Sequence, residues 1–586
     1  MTRTKRERRR WSRSTKVLVA VGASVVVAWA AVVALTLLGA YRHDRSGLGA
    51  LAVVRARLSA SSVTGTGMSR QLTAAESQFV DAHRALVSWW MAPLSVVPVL
   101  GRQLQSVTDL SGASATIAST GASFVNEVHA VLDAPHAAGP ERVAALRRLS
   151  TAAGAAARVL DRVSTGPSGG LVAPLAAKRD QLVSQLEDAR GRLARAAVAA
   201  GAAATILEGP QTYLVLASNN AEMRAGSGAF LEVGTATMSG GSVHLGQMLP
   251  AGSLFLPKGA VTLTGDLARN WGWLAPNQEW RNLGVTPQFD VTAELAARMW
   301  KARTGQQVDG VVSLDVVGLQ HLLEATGPVS AGGVTVSASN ALSYLLHGQY
   351  AGLTDNATPG ASSRQDALGA LASATLHELE GGSLDLRTLA TAMSAAAEGR
   401  HLMVWSRAPA AEAAWRATGV SGELGPRSLD VAVINRGGNK LDPYLGVGVS
   451  MTTRPAGAST DVTLRVTLHN TTPPGQSQFI AGPYPGLAAS YGEYVGLLAV
   501  NVPARATHRR VSGGLAEVVD AAEGPTWLLV SSVDVLPGRS TTLEVRFELP
   551  GRHGTVHVVP SARVPPEVWH VPGRSFRDSL PQSVSW

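Results

Sequence analysis

Apolar positions recur every three or four residues through Val143, Leu146, Leu149, Ala153, Ala156, Leu160 and Val163, and again through Leu175, Leu182, Leu186, Leu193 and Ala197. That period predicts two helices. Gly166-Pro167-Ser168-Gly169-Gly170 separates them as a hairpin turn. Residues from about 45 to 205 therefore read as an all-α stalk or bundle, in which abundant alanine allows close helix packing. From Gln211 the pattern changes. TYLVLAS is a short apolar β-type run, Gly228 to Thr237 alternates loosely, and Ser242 to Met248 adds a third strand. Helical Val291 to Arg303, strand Gly310 to Leu314, helix Val317 to Thr326 and strand Val334 to Val336 follow, with helical patterns again at Ala338 to Tyr350 and Arg364 to Glu380. Strands alternating with helices predict an α/β or α+β domain over about 206–425. Beyond it, Gly446 to Thr453, Val462 to His469, Tyr494 to Val502, Trp527 to Val533 and Thr541 to Leu549 are strand-like and separated by turn residues, which predicts an all-β, sandwich-like domain over 428–586.

Two uncharged stretches stand apart. Val17 to Ala40 holds no charge over 24 residues, enough to cross a hydrocarbon core of about 30 Å. No small-x-small cleavage site follows, so an uncleaved transmembrane anchor is expected rather than a signal peptide. The basic residues precede it, which places the N-terminus in the cytoplasm and the bulk outside. The second stretch, Ala85 to Gly101, is shorter and is interrupted by Pro93 and Pro98. It reads as a buried or interfacial segment rather than a second span, and Trp89 and Trp90 suit a bilayer interface.

Charge sharpens this picture. The chain of 586 residues carries a formal +9. Eight Lys or Arg against the single acid Glu7 give the first 16 residues a net +7, leaving about +2 for all the rest. The basic character belongs to the cytoplasmic tail, residues 1–16, and no nucleic-acid partner is expected. The chain has no cysteine, which excludes disulfides, thiolate metal sites and a thiol nucleophile.

Self-sufficient catalytic motifs are missing from the sequence. It holds no phosphate-binding P-loop, no H-E-x-x-H and no G-x-S-x-G, and its histidines lack ligand spacing, so no metal site is expected. The polar residues of the central domain are the candidates for ligand binding. Asn219, Asn220, Glu222 and Arg224 cluster after the first strand, a favoured ligand position in α/β folds. Arg281 and Asn282 lie in a loop rich in Trp271, Trp273 and Trp280; Asp309 and Asp315 bracket a strand; Arg364 and Gln365 open a helix. Arginine forks hold phosphate, and an Asp can hold Mg²⁺. The same residues equally cap helices and pair locally, and Asp309 before Gly310 is a turn residue on this reading.

Four blocks resemble the bacterial domain-of-unknown-function 4012 family: Asn219 to Leu245 with its NNAEMR start, Val308 to Val329, Asn435 to Leu445, and Tyr491 to Ala506. One departure is Gln288, which stands where that family has an acid. The central domain in turn distantly resembles the LytR-CpsA-Psr family, single-pass envelope phosphotransferases that move glycopolymers from polyprenyl-pyrophosphate carriers. The resemblance implies a phosphate-binding role for Arg224 and Arg364, with Mg²⁺ needed only if the domain is catalytic. Gly226 and Ser227 stand where the metal-binding Asp would follow the first arginine, and His347 stands where a further arginine would be. The resemblance thus implies a membrane-anchored envelope protein that binds or transfers a polyprenyl-(pyro)phosphate-linked glycan. The alternative is a non-catalytic envelope scaffold or interaction protein.

Overall fold

The structure is a computed structural model. It describes residues 13–56, 67–134, 139–331, 333–350, 370–375, 377–378 and 386–586, with the side chains of 13–26, 50–56, 331 and 386 excepted. The chain is multidomain, with a helical N-terminal region and a C-terminal region built of β-sheets. Two compact units divide it: residues 1–131 with 151–197, and residues 132–150 with 198–586.

In the first unit, helices α1 (Arg13–Ala56), α2 (Gly67–Leu86) and α3 (Pro98–Leu132) are joined by the leading part of α5 (Ala173–Glu208) and the trailing part of α4 (Gly139–Asp161). Helix α2 buries Met68, Leu72, Ala75, Phe79, Ala82 and Leu86, one stripe at three- and four-residue spacing. Along that stripe, Met68 and Leu72 meet Ala122 and Val125, Ala75 and Phe79 meet Ala118, and Ala82 and Leu86 meet Val33 and Ala40. The buried positions of α3 are mostly Ala, Ser and Val, which lets the helices approach closely. The expected turn between α4 and α5 is present, with Gly166 and Gly170 at φ of 71° and 73°.

Helix α1 covers the expected anchor, Val17 to Ala40, but its first ten residues lie outside the described side chains. Among the described residues no helix is long and apolar enough to cross a membrane. The uncharged stretch Ala85 to Gly101 is divided at its prolines into a 3₁₀ turn, Trp89–Met91, a short helix, Ala92–Ser95, and the start of α3. Proline lacks the N–H and crowds the preceding turn, so no continuous helix forms there.

The second unit is layered. Its central mixed sheet runs β3-β2-β1-β5-β8, formed by Ser242–Leu245, Gly228–Ser239, Gln211–Met223, Gly310–Asp315 and Leu402–Ser406, with β4 (Leu249–Pro250) against β2. β1 pairs antiparallel with β2 and parallel with β5. The return to β5 passes through α6 (Gly265–Trp271) and α7 (Phe289–Thr304), and α8 (Val316–Thr326) follows β5. A small hairpin, β6 (Val329–Ala331) with β7 (Val334–Val336), and helix α9 (Ala341–Leu346) come next. The helical pattern expected from Arg364 to Glu380 lies largely outside the described residues. Helices α10 (Leu386–Glu398) and α11 (Pro409–Thr418) flank β8.

The C-terminal strands β9 (Ser428–Asn435), β10 (Leu445–Ala456), β11 (Ser459–Asn470), β12 (Tyr494–Pro503), β13 (Thr507–Ser512), β14 (Ala516–Glu523), β15 (Thr526–Val535), β16 (Ser540–Pro550), β17 (Thr555–Val558), β18 (Val568–Val571), β19 (Arg574–Arg577) and β20 (Gln582–Ser585) form two six-stranded sheets. Their orders are β13-β16-β11-β10-β18-β19 and β14-β15-β12-β9-β17-β20. The second sheet is covered on both faces. Leu429, Val431 and Val433 of β9 join the core shared with the other sheet, while Ala432 and Ile434 join the core of the central domain, with Phe230, Trp280 and Leu283. Successive strand residues point to opposite faces, so both registers of β9 are core. One hydrophobic core therefore runs across the 425/428 boundary.

Candidate functional site

β1 ends in a bulged run, with register shifts between Ala217 and Ser218 and between Asn219 and Met223. Bulges re-aim side chains. Here they turn Asn219, Asn220 and Glu222 inward, and every residue from Ser218 to Phe230 is buried. Gly228 makes this possible, since a Cβ there would stand 2.1 Å from the Asn219 carbonyl oxygen.

Each inward side chain meets partners from another segment. Asn219 Nδ2 donates to the Tyr350 hydroxyl (2.7 Å) and the Leu345 carbonyl (3.2 Å), while its Oδ1 accepts from Ala221 N. Asn220 Nδ2 donates to Asp315 Oδ2 (2.7 Å) and the Ala562 carbonyl (2.9 Å), and its Oδ1 accepts from Val316 N. Asp315 caps α8 by accepting from Gly318 N at 2.9 Å. It also contacts His401 Nδ1 (2.7 Å) and accepts from Ser227 Oγ (3.3 Å). The aspartate thus sits between serine and histidine. That order puts the hydroxyl on the carboxylate rather than on the imidazole, unlike a nucleophilic triad. Glu222 is in ion-pair contact with Lys440, which also lies over the Tyr350 and Phe479 rings. Burial pushes the Lys440 ammonium down to about 7, with Asp442 opposing.

Arg224 is buried, 7% exposed. Its Nε donates to the Arg281 carbonyl (2.9 Å), and its Nη1 to the carbonyls of Met223 (3.0 Å) and Asn435 (3.2 Å). Burial lowers the guanidinium to about 10; Asp442 and Tyr494 oppose this and Arg281 adds to it. Arg281 itself forks onto Glu279, Nε to Oε1 at 3.0 Å and Nη2 to Oε2 at 2.6 Å. That hydrogen-bonded pairing raises Arg281; burial pushes Glu279 up, but the Arg281 bonds outweigh it and hold the carboxylate low. Nearby, the Arg436 guanidinium lies 5.6 Å from the ring of Trp273, which is 54% exposed. Burial lowers Arg436, and the positive charge of Arg224 adds to that. Arg364 and Gln365 lie outside the described residues.

The hub of the arrangement is Asp442, which was not among the expected residues. Its Oδ1 accepts from Tyr494 Oη (2.9 Å) and Arg563 Nη1 (2.8 Å), and its Oδ2 accepts from Met223 N and Asn435 Nδ2, both at 2.9 Å. Its side chain is fully buried. Arg563 adds bonds to the carbonyls of Asp442 and Leu445. Burial alone would lower Arg563, but Asp442, Tyr494 and Glu567 outweigh it and the net direction is up. For Asp442 the signal was present, because it lies inside the block Asn435 to Leu445. No pattern in the sequence marks Arg563.

The remaining candidates are local. Asp309 Oδ2 accepts from Thr212 N (2.8 Å) and so ties the start of β1 to the entry of β5. Asn282 donates to the Leu274 carbonyl, Trp271 to Glu523 and Trp280 to the Leu254 carbonyl. Gln288 accepts from Leu424 N at 3.0 Å, a neutral role at the position where the family's pattern has an acid. His347 Nδ1 is 2.8 Å from the Tyr444 hydroxyl. Among the described residues no three or more His, Asp or Glu are grouped to hold a metal ion.

Residues 208–350 match the model of a family described as "Protein of unknown function (DUF4012)". The segment belongs to the DUF4012 family. No curated protein and no solved structure matched the chain. The DUF4012 segment contains β1, the bulge, Arg224 and Asp315. Asn435, Lys440, Asp442 and Tyr494, which close the network around it, lie beyond its end at Tyr350.

Proposed function

We propose that this is a membrane-anchored cell-envelope scaffold or interaction protein, and that the polar cluster of its DUF4012 segment is an interlock rather than a catalytic centre. The supporting observation is that the described candidate residues are consumed by the protein itself. Glu222 is paired with Lys440 and Arg281 with Glu279; Arg224 is held by three carbonyls, and Asp315 is shared among Asn220, Ser227, His401 and the α8 cap. With its Nε and Nη1 donors on carbonyls, a grip on phosphate through those atoms would break their bonds, at the cost of desolvated carbonyls. The anchor half of the reading is supported by the basic tail and by α1, which exposes Val27, Val32, Leu35, Leu37 and Leu38. Titrating a polyprenyl-pyrophosphate analogue into the full chain, parent and Arg224→Ala, tests it. The expected result is a lowered melting temperature in the variant and no saturable binding in the parent. Binding in the parent, lost in a variant that melts unchanged, would contradict it.

A second reading has one observation in its favour. Arg436 and the exposed Trp273 form a cation and a flat ring side by side, near Arg224 and Arg281. A ring suits the apolar face of a sugar and the cation suits a phosphate or carboxylate. On this reading the protein binds a polyprenyl-(pyro)phosphate-linked glycan or an anionic wall polymer, as the LytR-CpsA-Psr resemblance implies. Trp273→Ala and Arg436→Ala would then each weaken binding of such a glycan with the melting temperature unchanged; equal affinity in both would remove this reading.

A further inference from the structure

We propose that Val87–Leu100 is a second membrane-contact element, a re-entrant knob immersed in the outer leaflet beside α1. This rests on the reading of α1 as the anchor. The stretch carries no charge and is flanked by Arg84 and Arg102. Its apolar side chains face outward: Val87, Trp89, Val96, Val97, Val99 and Leu100 are all exposed, Trp89 by 81% and Val96 by 80%. So many large apolar side chains exposed in one short segment mark an interaction surface.

Its inner side fixes its height along α1. Trp29 Nε1 donates to the Trp90 carbonyl (2.8 Å), and Trp90 Nε1 donates to Thr36 Oγ1 (3.1 Å). Met91 and Leu86 share a cluster with Val33 and Ala40. The knob therefore stands beside Trp29 to Ala40, the outer half of the uncharged stretch, where α1 exposes Val32, Leu35, Leu37 and Leu38. The two apolar surfaces stand at the same height along α1, so the solvent that meets one meets the other. That solvent is lipid if α1 spans the bilayer.

Irregular backbone enters hydrocarbon only when its polar groups are satisfied internally. In the knob they largely are. Val87 N bonds His83 O, Met91 N bonds Ser88 O, Val97 N bonds Leu94 O and Gly101 N bonds Val97 O. The Ser88 and Ser95 hydroxyls donate to the carbonyls of Arg84 and Ala92. Pro93 and Pro98 have no donor to satisfy. Gly101 closes the turn: a Cβ there would stand 2.3 Å from the Ser95 carbonyl oxygen. Arg84 and Arg102 at either end suit anionic headgroups, and tryptophan favours the zone just below them.

The chain has no cysteine of its own, so single nitroxide labels can be placed cleanly in the full protein. Trp89→Cys, Val96→Cys, Leu35→Cys and Leu515→Cys are labelled, reconstituted in phosphatidylcholine–phosphatidylglycerol vesicles, and measured for accessibility to oxygen and to a water-soluble nickel chelate. All four positions are exposed, so the folded state tolerates the labels. The expected result is high oxygen and low nickel accessibility at 89, 96 and 35, with the reverse at 515. Labels at 89 and 96 open to nickel while 35 is in lipid would overturn the knob and leave the anchor standing. Labels at 89 and 96 shielded from both reagents would mean a protein partner covers the patch, which also overturns it. Nickel access at 35 would overturn the anchor and the knob together.

Discussion

Asp442 receives four donors: a β1 amide, a β9 asparagine, the β12 tyrosine and an arginine from the segment before β18. Removing one member of a buried ion pair leaves the other charge uncompensated, which costs about 3–5 kcal/mol. Asp442→Asn is therefore expected to destabilise the chain by about that amount in urea unfolding, because Arg563 stays buried without its counter-charge. A change below about 1 kcal/mol would mean that the pair is incidental. Asp430 makes a different prediction. Burial pushes its carboxyl up to about 7; Arg400 opposes this while Glu523 and Asp578 add to it. A raised acid stabilises fully below its unfolded value of about 3.9 and loses that contribution as pH climbs to the folded value. The stability of the parent relative to Asp430→Asn should accordingly fall between about pH 4 and pH 7, by a few kcal/mol, and stay level above pH 7. Parallel stability curves for the two proteins would contradict this.

At the scale of elements, β9 is the informative strand. Its eight residues are all buried, with Leu429 in the sandwich core and Ile434 in the core shared with the central domain. Leu429→Ala and Ile434→Ala should each cost about 2–5 kcal/mol, although they point to opposite faces. A mild effect from either would mean that one face is not core. This double burial also explains what the sequence concealed. β10, β11, β12, β15 and β16 were legible because strand-length apolar runs lie between turn residues; in β11 and β16, buried positions alternate with exposed ones. β9 carries Ser428, Asp430 and Asn435 within an otherwise apolar run, and both of its faces are buried, so no alternation marks it. Helices α4 and α5 were legible from their three- and four-residue period. The break at Pro93 and Pro98 was legible from chemistry alone. The four family-like blocks were visible as blocks, but their meeting in space was not, because Asp442 and Met223 are 219 residues apart.

On the scale of the whole molecule, two properties are open to direct test. One is topology: the proposed reading puts the basic tail inside and the mass of the chain outside the cytoplasm. A reporter enzyme active only outside the cytoplasm, fused after Trp586, should be active; an inactive, stably made fusion would remove every envelope role proposed for the protein. The other property is unity within the second unit. Asn220 and Asp315, Met223 and Asp442, and Arg224 and Asn435 join the central sheet to the strands and loops after residue 428 or to one another. If this network is an interlock, cutting it at one residue should loosen both sides. Native-state hydrogen exchange of the full chain with Asp442→Asn measures that most directly. The amides of Ser218–Met223 in β1 and those of β9 and β12 should lose protection together. Loss confined to the loop around residue 442, with β1 as protected as in the parent, would contradict the interlock.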